Sequence, residues 1–429
     1  MIENVQPEID HGRFPVKRAA GARFEVRATV FKEGHDRLAV VIRHRLAGRS
    51  PQSPQGPWNE TPMTIENPGL DVWRGEFSLL EIGRHEYTVE AWADEFESWR
   101  HEVEKKAEAG QDLTLELLEG RALVARGRDR AAGEALDRVL EAFDSSDDAG
   151  RRTELLMSPE LRGVMARCQE RLCGAVYDHV LEVVADRPRA RFAAWYEMFP
   201  RSQGREPGKS ATFEDCIRRL PEIAAMGFDV VYLVPIHPIG RMHRKGPDNA
   251  LHAGPDDPGS PYAIGALEGG HTAVHPELGT LEDFRGFVAE AGRHGMEVAL
   301  DFAIQCAPDH PWVREHPEWF SFRPDGCIKY AEYPPKKYQD IVNVDFYGEG
   351  ASALWTALCD VVLYWAGEGV RIFRVDNPHT KPFGFWEWMI REVQSVDPGV
   401  IFLSEAFTRP KVMKALAKLG FTQSYTYFT

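Results

Sequence analysis

Three regimes of hydrophobic patterning follow one another along the chain. From Arg23 to about Asp94, apolar and polar positions alternate with period two in RFEVRATVF, RLAVVIRHR, WRGEFSLL and HEYTVEAW, with Gly, Pro and Asn turns between them. Period two sends successive side chains to opposite faces, so each run predicts a half-buried strand. Together they predict a small Ig-like β-sandwich on the order of 100 residues long. From Leu113 to Asp186 the period turns helical. Leu115, Leu118, Leu123 and Val124 form one stripe, Leu136, Leu140 and Phe143 the next, and LMSPELRGVMARCQERLCGAVYDHVLEVVAD supplies further amphipathic turns. With polar links such as DSSDDAG between them, these segments predict a short helical bundle.

After Arg189 short apolar runs alternate with amphipathic segments. The runs are FAAWYEMF, DVVYLVPI, EVALDFAI, VRIFRVD, VIFLSEAF and TQSYTYF. The segments between them include FEDCIRRLPEIAAMG, LEDFRGFVAEAGRHG, ALWTALCDVVLYWAGEG, FWEWMIREVQSV and KVMKALAKLG. Strands that are apolar on both faces and separated by helices require a buried parallel sheet. No G-x-G-x-x-G follows the first strand, which argues against a dinucleotide fold, and GRMHRKGP lacks the Lys-Ser/Thr order of a phosphate loop. The expected architecture is therefore multidomain α/β. It comprises an N-terminal β-sandwich over 1–107, a helical bundle over 108–188, and an incomplete (β/α)8 TIM-type barrel over 189–429 with a loop insertion around 303–350.

Composition narrows the functional classes. The net charge of −15 disfavours a nucleic-acid partner, because phosphate backbones are held by clustered Lys and Arg. The start, MIENVQPEIDHGRF, has neither a basic n-region nor an apolar h-region, so no secretory signal is expected there, and no apolar run has the length of a membrane span. Cys168, Cys173, Cys216, Cys306, Cys327 and Cys359 are dispersed, with no C-x-x-C pair and no His spacing suited to zinc. They read as free thiols in a reducing cytoplasm, with Cys168 and Cys173 on one helix.

Candidate chemistry gathers at the ends of the apolar runs: Tyr196 and Glu197, His237, Asp301 with Gln305, Arg374 with Asp376, and Glu405. In a parallel barrel the C-terminal strand ends form the active face. A lone acid there is commonly a helix cap, but two on successive strand ends, one after FRV and one after FLS, form a pair with a chemical use. A retaining glycosidase needs one carboxylate to attack the anomeric carbon and another to move the proton of the leaving or attacking oxygen. Arg374 lies two residues before Asp376, so strand alternation puts both on one side, where the cation favours an ionised nucleophile. The alternative for that pair is a structural ion pair inside a barrel.

At these residues the chain resembles a known family. GVRIFRVDNPHTKP and FLSEAF resemble signature regions of the α-amylase superfamily, glycoside hydrolase family 13, and DFAIQCAPDHP is similar to a third, with Gln305 and Cys306 where typical amylases have Asn and His. WYEMFPRS, PIHPIGRMHRKGPDN, GSPYAIG, GGHTAVHPELGT and AEYPPKKYQDIVN resemble the bacterial maltosyltransferases that extend α-1,4-glucan from maltose 1-phosphate. The resemblance implies a β-sandwich and helical bundle ahead of the barrel. It also implies Asp376 as nucleophile, Glu405 as general acid/base, and Lys245, Ser260, Lys336, Tyr338 and Asn377 as phosphate-recognising side chains. Gln305 and Arg374 complete the expected substrate site, and Tyr333 stands where the family shows Asn. No metal and no cofactor are implied. The implied partners are α-maltose 1-phosphate, an α-1,4-glucan acceptor and a second copy of the chain, with no membrane.

Trp195, Tyr196, Tyr262, Phe302 and Trp312 are candidates to stack on sugar rings. Two other readings of the residues are an α-amylase-type hydrolase or other α-glucan transferase, and an inactive glucan-binding fragment. About six barrel strands are present where a closed barrel needs eight, and the family's third catalytic Asp and C-terminal β domain have no counterpart. A C-terminally truncated chain, weak or inactive alone, is expected on that count.

Overall fold

The computed structural model describes residues 1–48, 55–130, 133–168, 170–171 and 174–426. Cys173, and Tyr427 and Phe428 of the terminal apolar run, lie outside the described residues.

The N-terminal strands are β1 (Ile2–Gln6), β2 (Val16–Ala19), β3 (Arg23–Val30), β4 (Leu38–Leu46), β5 (Asn59–Pro62), β6 (Thr64–Asn67), β7 (Val72–Ser78) and β8 (Gly83–Ala93). β1, β3, β7 and β6 form one sheet, while β2, β8, β4 and β5 belong to a second. The alternation read from the sequence is visible in β3, where Phe24, Val26, Ala28 and Val30 are buried and the residues between them are not. They share one core with Val40, Ile42, Tyr87 and Val89 of the second sheet.

Five helices follow: α1 (Glu95–Glu108), α2 (Thr114–Arg128), α3 (Gly133–Asp144), α4 (Ala149–Leu156) and α5 (Pro159–Cys168). Their own core is built on Phe96, Trp99, Leu123, Leu136, Phe143 and Met165. Two expectations are corrected here. Leu115 and Leu118 are exposed, and the inward stripe of α2 is instead Leu117, Gly120, Leu123, Val124 and Gly127. The phase is set by Trp99, whose indole lies so close to Gly120 that a Cβ there would sit 2.2 Å from it. Second, the segment after Ala175 is not helical. β9 (Ala175–Val176) and β10 (Leu181–Asp186) return to the second sheet, β10 pairing β2 in parallel and β8 antiparallel. The helices therefore interrupt one sheet between β8 and β10, and neither the 107/108 nor the 188/189 boundary separates sheet from helix. LEVVAD is rich in β-branched residues, and partners distant in sequence decide its state.

From Trp195 the strands are β11 (Trp195–Met198), β12 (Val230–Leu233), β13 (Glu297–Phe302), β14 (Tyr330–Tyr333), β15 (Lys336–Val342), β16 (Ile372–Val375), β17 (Ile401–Glu405) and β18 (Gln423–Tyr425). The helices are α6 (Phe213–Ile217), α7 (Leu220–Ala225), α8 (Leu281–Arg293), α9 (Pro311–Glu315), α10 (Ala351–Gly367), α11 (Phe383–Val396) and α12 (Pro410–Leu419). β11, β12, β13, β16, β17 and β18 form a six-stranded sheet, parallel throughout and in chain order, as in part of a (β/α) barrel. β14 and β15 form a separate hairpin within the insertion between β13 and α10. FEDCIRRLPEIAAMG is two short helices rather than one, α7 opening with Pro221 in its first turn, where the missing N–H costs nothing.

The two faces of this sheet differ. Val231, Leu233, Val298, Leu300, Phe302, Phe373, Val375 and Phe402 pack on α6, α8, α10 and α11 in the largest core. The opposite face is apolar only toward the strand starts, where Val230, Ala299, Ile372 and Ile401 meet Trp195. Toward the strand ends it carries Tyr232, Asp301, Arg374 and Glu405 instead. That polar end is where the site forms. Arg13 fastens the N-terminal unit to α11 through both Glu387 oxygens at 2.6 and 2.8 Å, and Arg187 reaches Glu297 at the start of β13 at 2.7 Å. Among the described residues no helix is long and apolar enough to cross a membrane.

Candidate active site

Arg374 is the centre of the polar end. β16 pairs with β13 on one side and β17 on the other, and register places Arg374 directly beside Asp301. Its Nη1 donates to Asp301 Oδ2 at 2.8 Å and to Asp376 Oδ1 at 3.0 Å, its Nη2 to Glu405 Oε1 at 2.6 Å, and its Nε to the Tyr425 hydroxyl at 3.0 Å. The same-side placement of Arg374 and Asp376 expected from alternation is present. One rigid planar fork thus orients carboxylates from three adjacent strands, which a flexible ammonium could not do.

Asp376 is buried and accepts two further bonds on Oδ2, from Gln305 Nε2 at 2.5 Å and from Asn377 Nδ2 at 3.3 Å. Asn377 adopts a left-handed conformation, φ 43° and ψ 54°, which Asn tolerates better than most residues. That turn aims its backbone N–H at Glu405 Oε2, 3.2 Å away. Lys381, half-buried behind the turn, donates to the main-chain oxygens of Asp376 and Asn377 at 3.5 and 3.3 Å, and burial lowers its pKa.

Burial raises the pKa of Glu405 against the pull of Arg374, and the neighbouring Asp376 carboxylate adds to the rise. Burial likewise pushes Asp301 up to about 7, opposed by Arg374 and reinforced by Asp376. Tyr232 and Tyr262 both donate to Asp301 Oδ2, at 2.5 and 2.9 Å. Burial and the Asp301 charge raise both phenols, so they remain donors. Burial alone would lower Arg374, but Asp301, the two tyrosines and Asp376 raise it, and it stays charged.

Among the described residues, Lys245, Ser260, Lys336 and Tyr338 make no hydrogen bond to Arg374 or to the carboxylates it holds. Lys245 is buried, and its Nζ donates to Gln339 Oε1 of β15 at 2.7 Å. In the hairpin, Tyr333 lies opposite Lys336 and Ala331 opposite Tyr338, so all four share one face. Ala331 packs on Ala263, Ala307 and Ile341, the small cluster on which Tyr262 also packs. Lys336, Tyr338 and Tyr333 are exposed on the hairpin face. Ser260 Oγ accepts the Tyr262 N–H at 3.3 Å.

Several expected contributors lie elsewhere. Phe302, on the helix-facing side, packs on Trp386, Tyr196 on Phe228, and Trp312 on Trp319 and His271, so these three belong to the protein core rather than to a sugar platform. Glu197 is exposed. His237 is buried, donates from Nδ1 to the Ala273 carbonyl at 3.0 Å, and is pushed down to about 4 by burial. Tyr232, Tyr425 and Lys381 were not foreseen. Alternation in DVVYLVPI carried a signal for Tyr232, because Tyr is the polar-tipped residue on its non-helix face. Sequence spacing also hid a trio that the fold assembles: His271, Cys306 and His310 offer ligand atoms within 4.8 Å of one another.

A family model described as Alpha-1,4-glucan:maltose-1-phosphate maltosyltransferase, domain N/S, matches residues 1–187. An α-1,4-glucan:maltose-1-phosphate maltosyltransferase of Rhodospirillum rubrum is 57% identical over 438 residues, covering 100% of this chain and 64% of that protein. Proteins of the same name from Myxococcus xanthus and Cereibacter sphaeroides are 56% and 54% identical, again across 100% of this chain, and are covered to 65% and 71%. The chain thus spans just under two thirds of the length of the first two. Among solved structures, an α-amylase from Lactobacillus plantarum aligns with a TM-score of 0.44 at 29% identity, over 55% of this chain and 50% of its own.

Proposed function

Because this chain belongs to the α-1,4-glucan:maltose-1-phosphate maltosyltransferase family, we propose that it transfers maltosyl units from α-maltose 1-phosphate to the non-reducing ends of α-1,4-glucans, releasing phosphate. The observation that carries this reading is the single guanidinium that holds Asp376 and Glu405, on successive strand ends, at 3.0 and 2.6 Å.

In this reading an Asp376 oxygen attacks C1 of the donor opposite the phosphate, the C1–O bond to phosphate breaks, and a β-maltosyl ester remains on Asp376. The acceptor's 4-hydroxyl then attacks C1 while Glu405 takes its proton, and the Asp376 carboxylate leaves. Two inversions preserve the α configuration. A Glu405 carboxyl raised by burial is suited to holding and returning that proton. The departing phosphate requires cations and donors, a role assigned to Lys245, Ser260, Lys336, Tyr338 and Asn377. Gln305 and Arg374 orient the nucleophile. Lys336 and Tyr338 stand on one face of the hairpin and Lys245 bonds Gln339 of the same strand, which supports this grouping.

For the architecture we infer a β-sandwich over 1–94 and 174–187, interrupted by a helical insertion over 95–168, followed by a partial (β/α)8 barrel. We infer homodimerisation from the family and a cytoplasmic setting from the dispersed cysteines. The test is phosphate release from α-maltose 1-phosphate with a maltooligosaccharide acceptor, beside reducing-sugar release from starch. Phosphate release that depends on acceptor, lost by at least about a thousandfold in Asp376→Ala, supports the transferase. Starch cleavage without phosphate release from the donor would instead assign a hydrolase.

A further inference from the structure

We propose that His271 and His310 are positioning residues for the nucleophile: a neutral, hydrogen-bonded pair that fixes the strand exit from which Asp376 is held. The inference rests on the reaction assigned above.

His310 and His271 are both buried, and their hydrogen bonds admit one arrangement of protons. The backbone N–H of Trp312 donates to His310 Nδ1 at 3.0 Å. An amide can only donate, so Nδ1 carries no proton and His310 Nε2 does. That Nε2 lies 3.1 Å from His271 Nδ1, which must therefore accept. His271 Nε2 is left as a donor, and it meets the Ala303 carbonyl, which can only accept, at 3.0 Å. The chain of donors runs in one direction, from Trp312 through both rings to Ala303, with every ring nitrogen used. Protonating either ring would set a donor against a donor. Burial pushes the pair the same way, His310 down to about 3 and His271 well below its ordinary value.

The ring of His310 is also clamped by backbone. A Cβ on Gly265 would lie 2.1 Å from it and one on Gly270 2.3 Å, so glycine is required at both positions. Trp312 stacks on His271 with a centroid separation of 5.1 Å.

What the pair holds is the exit of β13. The Phe302 carbonyl accepts the Asp376 backbone N–H at 3.2 Å, and Gln305 Nε2 donates to the Asp376 carboxylate at 2.5 Å. Ala303, bonded to His271, lies between these two attachments. A shift at Ala303 moves both holds on Asp376 together, while neither histidine touches a carboxylate of the site. The nearby Cys306 makes zinc the competing explanation for the trio. A metal on His310 Nε2 would displace the proton that the Trp312 N–H requires there, leaving an anionic ring, so the bonding favours the relay.

The test uses the protein carrying this sequence. Long-range 15N–1H spectra at pH 7, assigned through His271→Gln and His310→Gln, should show both rings neutral and protonated at Nε2. The Gln305 side-chain amide, assigned by its loss in Gln305→Glu, should shift in His271→Leu and return in His271→Gln, whose amide also offers one acceptor and one donor. In phosphate release, His271→Leu should lower kcat about tenfold or more with the KM for α-maltose 1-phosphate changed less than about threefold, and His271→Gln should recover most of it. If His271→Leu does not fold, His310→Leu supplies the same comparison and the wild-type spectra still decide. A ring protonated at Nδ1, stoichiometric retention of added zinc, or a folded leucine variant with an unmoved Gln305 amide and full kcat would overturn the proposal. Correct tautomers and a responsive Gln305 amide in a wild type that releases no phosphate would instead remove the assigned reaction and leave the positioning of Asp376 standing.

Discussion

Replacing Arg374 with methionine keeps the length and apolar stem of the side chain and removes the guanidinium that contacts Asp301, Asp376 and Glu405 at 2.8, 3.0 and 2.6 Å. Breaking a buried ion pair by removing one partner costs about 3–5 kcal/mol, because the charge left behind is uncompensated. Here three carboxylates are left, and the two that burial already raises, Asp301 and Glu405, respond by binding protons. Asp301 already titrates near 7 because of burial, against an ordinary 3.8, and Glu405 is raised for the same reason; losing the cation raises both further. Between the unfolded and folded values the native state holds the extra proton, so stability falls as pH rises through that window. The window runs from 3.8 to about 7 for Asp301 in the wild type and extends upward in the variant.

Arg374→Met should therefore lose about 3–5 kcal/mol at pH 8 and about 1–2 kcal/mol less at pH 5.5, at roughly 1.4 kcal/mol per pK unit. Hydrogen exchange of the β16 and β17 amides reads this locally, as protection reduced by about two to four decades at pH 8 and visibly less at pH 5.5. Transferase activity should be lost at both pH values. A variant within about 1 kcal/mol of wild type at pH 8, or one whose loss is the same at both pH values, would refute the account of Arg374 as the counter-charge to three carboxylates.

Gly120→Ala should destabilise the helical unit by about 1–2 kcal/mol despite alanine's better helix propensity, since the new Cβ meets Trp99 at 2.2 Å and the indole is tied to the Glu116 carbonyl at 2.8 Å. Urea unfolding followed through Trp99 fluorescence checks this, and an unchanged midpoint would mean that the indole can retreat. Lys245→Met should raise the KM for α-maltose 1-phosphate by about tenfold to a hundredfold, the worth of one hydrogen bond to a charged group, with a smaller effect on kcat. Steady-state phosphate release reads the split, and an unchanged KM would remove Lys245 from the phosphate site.

Much of the barrel was legible because its strands are short, apolar and sharply bounded. Each of the six runs after Arg189 became a strand of the parallel sheet, and the amphipathic segments between them became its helices. The pairing of Arg374 with Asp376 was legible for the same reason. Two residues apart on a strand means one side, whatever the sheet does around them.

What periodicity could not resolve was which elements meet. LEVVAD reads equally as helix or strand, and it became β10 because β2 and the first half of β8, Val16 and His85 opposite Val183, were there to pair with it. Leu117 rather than Leu115 faces inward because Trp99 from another helix reaches Gly120. The His271–His310 bond joins residues 39 apart, and the Gln305–Asp376 bond beside it spans 71, with no local pattern linking them. Local chemistry along the chain sets the period, the caps and the side on which a residue stands. Contacts between distant segments form only when the whole chain closes, so the network that orients the carboxylates belongs to the tertiary structure alone.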